Sequence, residues 1–505
     1  MIRVAAAAAR AWTAPGARRF RAALDAPAEA QARARARAWE ALRETTYGAR
    51  YARFEDLPLV TWDDMAPWMA RQQAGEANVV TRERVACWEP TSGSSGAPKL
   101  VPHTPSLRGA FTRMFAHWAH DLLTHGPGLR TGKFWFSVSP QFDAPGAAGG
   151  VPLRAPPPVA GALRGPTAPP QEAPGDGAPV GMEDDRDYLA GWTGRLFRPW
   201  FLTPPGLRRV RDPETWRRTV ARFLCGEPGL EGMSLWSPTL LHVLLDWMEA
   251  HADELPRGHL IGDWRALWPA LKLVSVWDAG SAAAPAARLR ERLHAGEAGS
   301  LLVQGKGLLA TEAPLTIPLV GIEGGVPLVE DVGIELLHGS GDLLPLHRAE
   351  RGQAYEIVVS QTAGLVRYRM GDLVEVVGAI GSTPTLRFLG RAATVDLVGE
   401  KLSEAAVVGA LARAGVRVPA CLRAVAGREG SATQHYRLEI DADLVPAGLA
   451  EAVDRALSEG HHYRLARQLG QLGPVEAAAA PGLARRDMEA GRSWGGAKGS
   501  VLRGV

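Results

Sequence analysis

Glu89-Pro90-Thr91-Ser92-Gly93-Ser94-Ser95-Gly96-Ala97-Pro98-Lys99-Leu100-Val101-Pro102-His103 is the stretch around which the rest of the chain makes sense. From Pro90 to Pro98 no side chain is large enough to pack a core, yet the run offers backbone N–H groups and the hydroxyls of Thr91, Ser92, Ser94 and Ser95. Gly93 and Gly96 can take φ > 0 and let the backbone approach an anion, and Lys99 adds a positive charge. A flexible Ser/Gly linker is the alternative. Against it, the run is preceded by the strand-like Val85-Ala86-Cys87-Trp88 and ends in a lysine followed by the β-prone Leu100-Val101. This is the order of a phosphate-binding loop. It is not a Walker loop, because only two residues separate the glycines and Lys99 does not open a helix.

Thr91 to Lys99 resembles the phosphate-loop signature of the adenylate-forming superfamily, which includes acyl- and aryl-CoA ligases, luciferases and adenylation domains. Later segments bring the resemblance closer to one branch, the Gretchen Hagen-type (auxin-responsive promoter family) acyl acid amido synthetases. The resemblance runs from about Thr61 to Lys498. It implies an α/β fold: a large N-terminal adenylate-forming domain over residues 1–391, with α/β sheets and a small β subdomain, and a smaller mobile α+β domain over 392–505.

With 505 residues the chain has room for two or three domains and a large core. A hydrophobic fraction of 46%, a charged fraction of 22% and a net charge of +3 are those of a soluble globular protein and call for neither nucleic acid nor a membrane. The Ala/Arg-rich stretch Ala30 to Arg43 is interspersed with Glu40 and reads as a solvated helix, not a transit peptide. Cys87, Cys225 and Cys421 form no metal or disulfide pattern, as expected of a cytoplasmic protein.

Residues 1–45 read as helices, and Thr61 with Asp64 is close to a capping box opening another. Leu107 to Leu123 carries an apolar stripe at helical spacing, with His117 and His120 as satisfied or surface groups, and Phe134 to Ser139 reads as a strand. Residues 141–181, rich in Pro, Gly and Ala, read as a long surface excursion, either a lid or a disordered segment. Glu183, Asp184, Asp185 and Asp187 fit a charged helix start better than a metal site. Leu235 to Met248 reads as a buried helix, and Leu271 to Trp277 as a parallel strand that leads into Asp278-Ala279-Gly280 at a sheet edge. In the resembling family this turn lies beside the adenine. Trp277 either lines an acyl pocket or fills core; Trp236 and His103 join it as candidates for the substrate side.

Gly305 to Ala310 matches a dinucleotide-binding fingerprint after the strand Leu301 to Gln304, but Pro314 and Pro318 arrive too early for the required helix. Read through the resemblance, Ala310-Thr311-Glu312 is the second adenylation motif, with Glu312 as the Mg²⁺ ligand. Leu308 stands where many relatives have an aromatic residue. Strands are expected at Gly333 to Leu337, Gln353 to Ser360 and Leu365 to Tyr368. Tyr368-Arg369-Met370-Gly371-Asp372 matches the third motif, which implies that Asp372, placed at a strand end, accepts from the ribose hydroxyls. Arg391 and Lys401 belong to segments that resemble the domain junction and are ATP-binding candidates. Ala405 to Ala414 and Leu449 to Leu457 read as helices, and Tyr436 to Ile440 as a strand. His461-His462 is assigned no metal. Lys498, in a glycine-rich segment, is the candidate mobile catalytic lysine, beside Lys99 and Glu312.

The reaction so implied is ATP-dependent: a carboxylic acid becomes an acyl-adenylate and passes to an amine, an amino acid, as an amide. The rival readings are a CoA ligase, a nucleotide-dependent oxidoreductase using Gly305 to Ala310, and a relative that only binds nucleotide.

Overall fold

In the computed structural model, residues 2–90, 99–137, 201–207, 210, 212–279, 282–296, 301–391, 394–418, 420–425, 434–483 and 502–503 are described. The phosphate-loop residues 91–98, the excursion 141–181, the acidic cluster 183–187, Gly280 and Lys498 lie outside them.

The helix-prone N-terminus forms α1 (Ile2–Asp25) and α2 (Pro27–Leu42). The buried Gln31 amide ties α2 to the strand that begins at Gly333: it donates to the carbonyls of Val329 (3.0 Å) and Val332 (2.8 Å) and accepts from the Ile334 N–H (2.7 Å). A buried amide so fully paired fixes register as well as contributing stability. α3 (Trp62–Gln73) opens on the expected capping box of Thr61 and Asp64 and buries Met65 and Met69. β1 (Cys87–Pro90) and β2 (Leu100–His103) pair antiparallel, Cys87 opposite His103 and Pro90 opposite Leu100, and so bracket residues 91–98. α4 (Pro105–His125) follows, capped by Thr104. Its histidines hold α1: His117 stacks on Phe20 with centroids 4.5 Å apart, and His120 Nδ1 lies 2.9 Å from the Thr13 hydroxyl.

A parallel five-stranded sheet comes next, in spatial order β4-β3-β5-β6-β7, from β3 (Lys133–Phe136), β4 (Phe201–Leu202), β5 (Leu230–Ser234), β6 (Leu273–Ser275) and β7 (Leu302–Gln304). Central β5 was not legible in the sequence. Its Leu-Glu-Gly-Met-Ser lacks a hydrophobic pattern because Gly232 makes room for the Phe134 ring of the neighbouring strand. The helix expected from Leu235 consequently starts later, at Pro238, and runs to Ala250.

Strands β8 (Thr316–Pro318), β9 (Gly325–Pro327), β10 (Gly333–His338), β11 (Leu343–Pro345), β12 (Ala354–Ser360), β13 (Tyr368–Ile380) and β14 (Thr383–Arg391) form one antiparallel sheet in the order β11-β10-β12-β13-β14-β9-β8. This is the expected β subdomain. Two readings within it need correction. Leu365 and Val366 are buried but outside any strand, because the chain turns at Gly364 (φ 106°) and Arg367 (φ 51°) before β13 begins. Asp372 is not at a strand end either: it lies inside β13, which continues eight residues beyond it to Ile380.

The C-terminal residues build a four-stranded sheet, in the spatial order β17 (Glu476–Ala479), β16 (His435–Ile440), β15 (Ala420–Val425) and β18 (Leu502–Arg503), with helices Glu404–Arg413, Leu449–Leu457 and His461–Gln468. Apolar residues gather in three cores. One joins the N-terminal helices to the antiparallel sheet, one surrounds the parallel sheet, and one lies between Leu397 and Leu502. Leu469, from the C-terminal part, is buried in the second core, and the Arg217 guanidinium donates to the Gln468 carbonyl at 3.0 Å beside it.

Candidate active site

Three segments far apart in sequence are stitched together by short contacts. β2 runs from Leu100 to His103, whose buried ring places Nε2 3.0 Å from the Thr311 carbonyl. Burial holds the imidazole far below its usual range, at about 4, so the ring is neutral; since a carbonyl only accepts, Nε2 carries the proton. The ring stacks on Phe111 of α4, centroids 5.6 Å apart. His103 therefore joins the strand leaving the first motif to the second motif and has a structural anchoring role there. Glu312, next along, is 6% exposed in a turn closed by a bridge between Leu309 and Pro314.

The third motif meets the first through α3. Val60 donates to the Arg367 carbonyl (3.1 Å) and accepts from the Arg369 N–H (2.8 Å), bridging to Tyr368. Two residues on, the Trp62 ring lies 5.8 Å from the Lys99 ammonium. The pairing of β12 with β13 breaks register here: Val358 opposes Arg369 but Glu356 opposes Leu373, so the intervening residues of β13 bulge. Gly371 (φ 77°) occupies the bulge in a left-handed conformation with open space where a Cβ would sit, so its backbone angle, not crowding, calls for glycine. Asp372 follows, 2% exposed and opposite Arg391 of β14. A bulge re-aims a side chain, which is how a carboxylate inside a strand can serve a site.

A second group forms at the carboxyl edge of the parallel sheet. Trp236 and Trp277 lie ring to ring, centroids 5.6 Å apart, and the Trp277 N–H donates to the Trp236 carbonyl at 2.8 Å. Both are half-buried, so Trp277 is not wholly a core residue. Asp278 pairs with Arg290 at 3.1 Å; burial raises its carboxyl above the usual range, with Arg290 opposing the rise. That carboxylate occupies the space a Cβ would need at Gly305. Gly305 is thus a glycine for close approach to Asp278. No helix follows it: Leu308 accepts from the N–H groups of Leu315 and Thr316, folding the chain back, which removes the structural basis of a dinucleotide fingerprint. Ala279 ends the described part of this turn.

The junction carries Gly399 (φ 105°), whose Cα faces the Trp277 ring, and Lys401 (φ 49°). Between them the Glu400 carboxylate is buried and accepts from the N–H groups of Leu397 and Val398, both at 2.7 Å, and from the Tyr436 hydroxyl. Sequence reasoning missed Glu400 as a junction anchor. It also missed Lys306, whose ammonium lies 2.7 Å from the Ser234 hydroxyl and 5.0 Å from the Trp236 ring; its place inside the competing glycine motif drew attention away from it.

The GH3.15 acyl acid amido synthetase in complex with 2,4-DB superposes with a TM-score of 0.56 at 17% identity, covering 96% of this chain and 91% of that one. A 2-hydroxyisobutyryl-CoA ligase in complex with 2-HIB-AMP and CoA gives 0.51 at 14%, covering 95% and 90%. The chain shares the fold of these two proteins. Within it, the GH3 family N-terminal domain matches residues 16–155 and the GH3 family central domain matches residues 331–391. The chain is thus similar to the GH3 family over these two stretches. GH3 domain-containing proteins of Homo sapiens and Mus musculus are 32% identical over 181 residues and 30% over 307, or 32% and 54% of this chain. The chain spans 31% and 55% of the lengths of those two relatives. A jasmonoyl–L-amino acid synthetase of Oryza sativa subsp. japonica is 35% identical over 85 residues, 16% of this chain and 15% of that protein.

Proposed function

We propose that this protein is an ATP-dependent ligase that activates a carboxylic acid as its acyl-adenylate and transfers the acyl group to an amine, an amino acid, to form an amide. The observation that carries this reading is the stitching of the three motif segments: His103 to Thr311, Val60 to Tyr368, and Trp62 to Lys99. A substrate carboxylate oxygen attacks the α-phosphorus of ATP and pyrophosphate leaves. The amine nitrogen then attacks the acyl carbon, AMP leaves with the former carboxylate oxygen, and the amine gives up a proton. Residues 91–96 with Lys99 cradle the phosphates, Asp372 takes the ribose hydroxyls, and Asp278, Ala279, Gly280, Thr311, Arg391 and Lys401 surround the nucleotide. Such groups act by holding two anions together and neutralising charge where it develops.

Glu312 fits a magnesium ion. Among the described residues no three His, Cys, Asp or Glu side chains gather to hold a metal, and Mg²⁺ in phosphoryl-transfer sites takes one or two carboxylates and completes its shell with phosphates and water. Bound there, the ion would neutralise the phosphates. The small domain, residues 392–505, brings Lys498 to the α-phosphate for the first half-reaction only, hinging near Gly399 and Lys401. Cys87, Cys225 and Cys421, all buried and none in a disulfide, support a cytoplasmic setting, and no helix among the described residues is long and apolar enough to cross a membrane.

Support for an amine over CoA comes from the similarity to the amido synthetases named above. Acid-dependent release of AMP and pyrophosphate from ATP with Mg²⁺ tests the reading; ADP and phosphate would overturn it. Thioester formation with CoA, with no product from any amino acid, would reassign the acceptor.

A further inference from the structure

Three neighbouring strands of the parallel sheet, central β5, β6 and edge strand β7, end level with one another: Ser234 of β5 pairs with Ser275 of β6, and Ser275 with Gln304 of β7. Two residues past these paired positions the chain carries Trp236, Trp277 and Lys306. Equal offsets from an in-register edge bring the three side chains together, as the indole pair at 5.6 Å and the ammonium 5.0 Å from the Trp236 ring show. Lys306 has a fixed direction: Ser234 Oγ holds its ammonium at 2.7 Å, Gly305 before it is wedged against Asp278, and Gln304 accepts from the Trp118 indole at 3.0 Å. The carboxyl edge of an open parallel sheet is where such folds take ligands. Here the edge offers two indoles that keep part of their surface outside the core, and one oriented cation.

We propose that Trp236, Trp277 and Lys306 form a specificity site for a planar acid that bears a second carboxylate, an aromatic dicarboxylate, with Lys306 as the residue that selects it. The proposal rests on the acid-activating reaction above and specifies its substrate. The reacting carboxylate loses its charge as the adenylate forms, so a lysine fixed on it would stabilise the ground state more than the transition state. A second carboxylate keeps its charge throughout. A cation placed on that group strengthens binding uniformly and sets which acid is accepted, while the exposed parts of the indoles pack against the ring.

The test is calorimetric titration of the full chain with benzene-1,4-dicarboxylate and with benzoate, which differ only in the second carboxylate. The dicarboxylate is expected to bind at least about tenfold tighter, the scale of one charge-assisted hydrogen bond. Lys306→Met should bring the ratio close to one, and Lys306→Arg should restore part of it. Should Lys306→Met fail to fold, Ser234→Ala, which removes the hydroxyl that aims the ammonium, should reduce the ratio several-fold. Equal binding of the two acids by the unaltered protein, or a preference that survives Lys306→Met, would overturn the proposal. Acid-dependent ATP–pyrophosphate exchange separates this from the parent reading. Exchange with benzoate and no preference for the diacid leaves adenylation standing and removes the specificity site. Lys306-dependent binding of the diacid without exchange keeps the site and removes adenylation.

Discussion

His103 donates from Nε2 to the carbonyl of Thr311 across 3.0 Å, and this one bond couples strand β2, which follows residues 91–98, to the turn that carries Glu312. His103→Phe keeps a ring to stack on Phe111 but leaves that carbonyl without this donor. Losing a hydrogen bond and stranding its partner costs about 1–3 kcal/mol. We expect a lower denaturation midpoint and a larger loss of pyrophosphate exchange than stability alone would produce. Exchange unchanged at temperatures well below the midpoint would show that the coupling has no catalytic consequence.

The same ring predicts a pH dependence. Burial lowers the folded-state values of His103 and His117 from 6.5 to about 4. Between these values the unfolded chain binds more protons than the folded one, so stability is full above about pH 6.5 and declines as pH falls towards 4. Urea unfolding across that window should show the decline. His117→Phe, which preserves stacking on Phe20, should flatten part of it. An unchanged slope would mean that the ring protonates without opposition from burial.

Asp372→Ala should weaken ATP binding by about 1.5–3 kcal/mol, the value of charge-assisted hydrogen bonds to a carboxylate, with a smaller effect on acid binding. Calorimetry with ATP and with the acid separates the two. Unchanged ATP affinity would make Asp372 a residue of the β13 bulge and nothing more.

Gly305 and Asp278 make a coupled pair. A Cβ at position 305 meets the Asp278 carboxylate, so Gly305→Ala should destabilise by about 1–3 kcal/mol, the usual cost of overpacking. Adding Asp278→Ala should recover part of that loss even though Asp278→Ala alone breaks the pair with Arg290. Strictly additive losses in thermal unfolding would place the clash elsewhere.

What could be read in the sequence followed from local chemistry. The Thr61 and Asp64 capping box, α4 and the helix Leu449–Leu457 carry their signals within a few residues, and all formed. The candidate site was read from three ordered motifs, each of which needs particular residue types at fixed spacing. What joins them was not legible. His103 to Thr311, Val60 to Tyr368 and Trp62 to Lys99 are tertiary contacts with no local signature. β5 escaped notice because a Gly, a Glu and a Ser in a fully buried strand are explained only by neighbours: Phe134 above Gly232, and the N–H groups of Thr131 (2.9 Å) and Gly132 (2.7 Å) donating to Glu231. Asp372 was expected at a strand end because Gly-Asp usually marks a turn. Cross-strand pairing carried β13 through it by means of the bulge at Gly371.

Glu400 predicts a pH dependence of opposite sign. Burial, with Asp396 adding to it, raises its folded-state value from 4.5 to about 7, while the bonds from Tyr436, Val398 and Leu397 work against the rise. A raised value means that the folded chain holds a proton the unfolded chain has released. The contribution is therefore complete below about pH 4.5 and is lost as pH rises through 7, opposite to the histidine effect. Glu400→Gln cannot ionise and should flatten this branch. The cost is one acceptor for the N–H groups of Leu397 and Val398, roughly 1–2 kcal/mol. These residues flank Gly399, where a Cβ would meet the Trp277 ring, so loosening them should also alter how this segment sits against Trp277. Hydrogen exchange at residues 394–403, measured at pH 5 and pH 8, should show faster opening at the higher pH in the unaltered chain and no such difference in Glu400→Gln. Equal protection at both pH values in the unaltered chain would show that the carboxylate at the junction is ionised throughout.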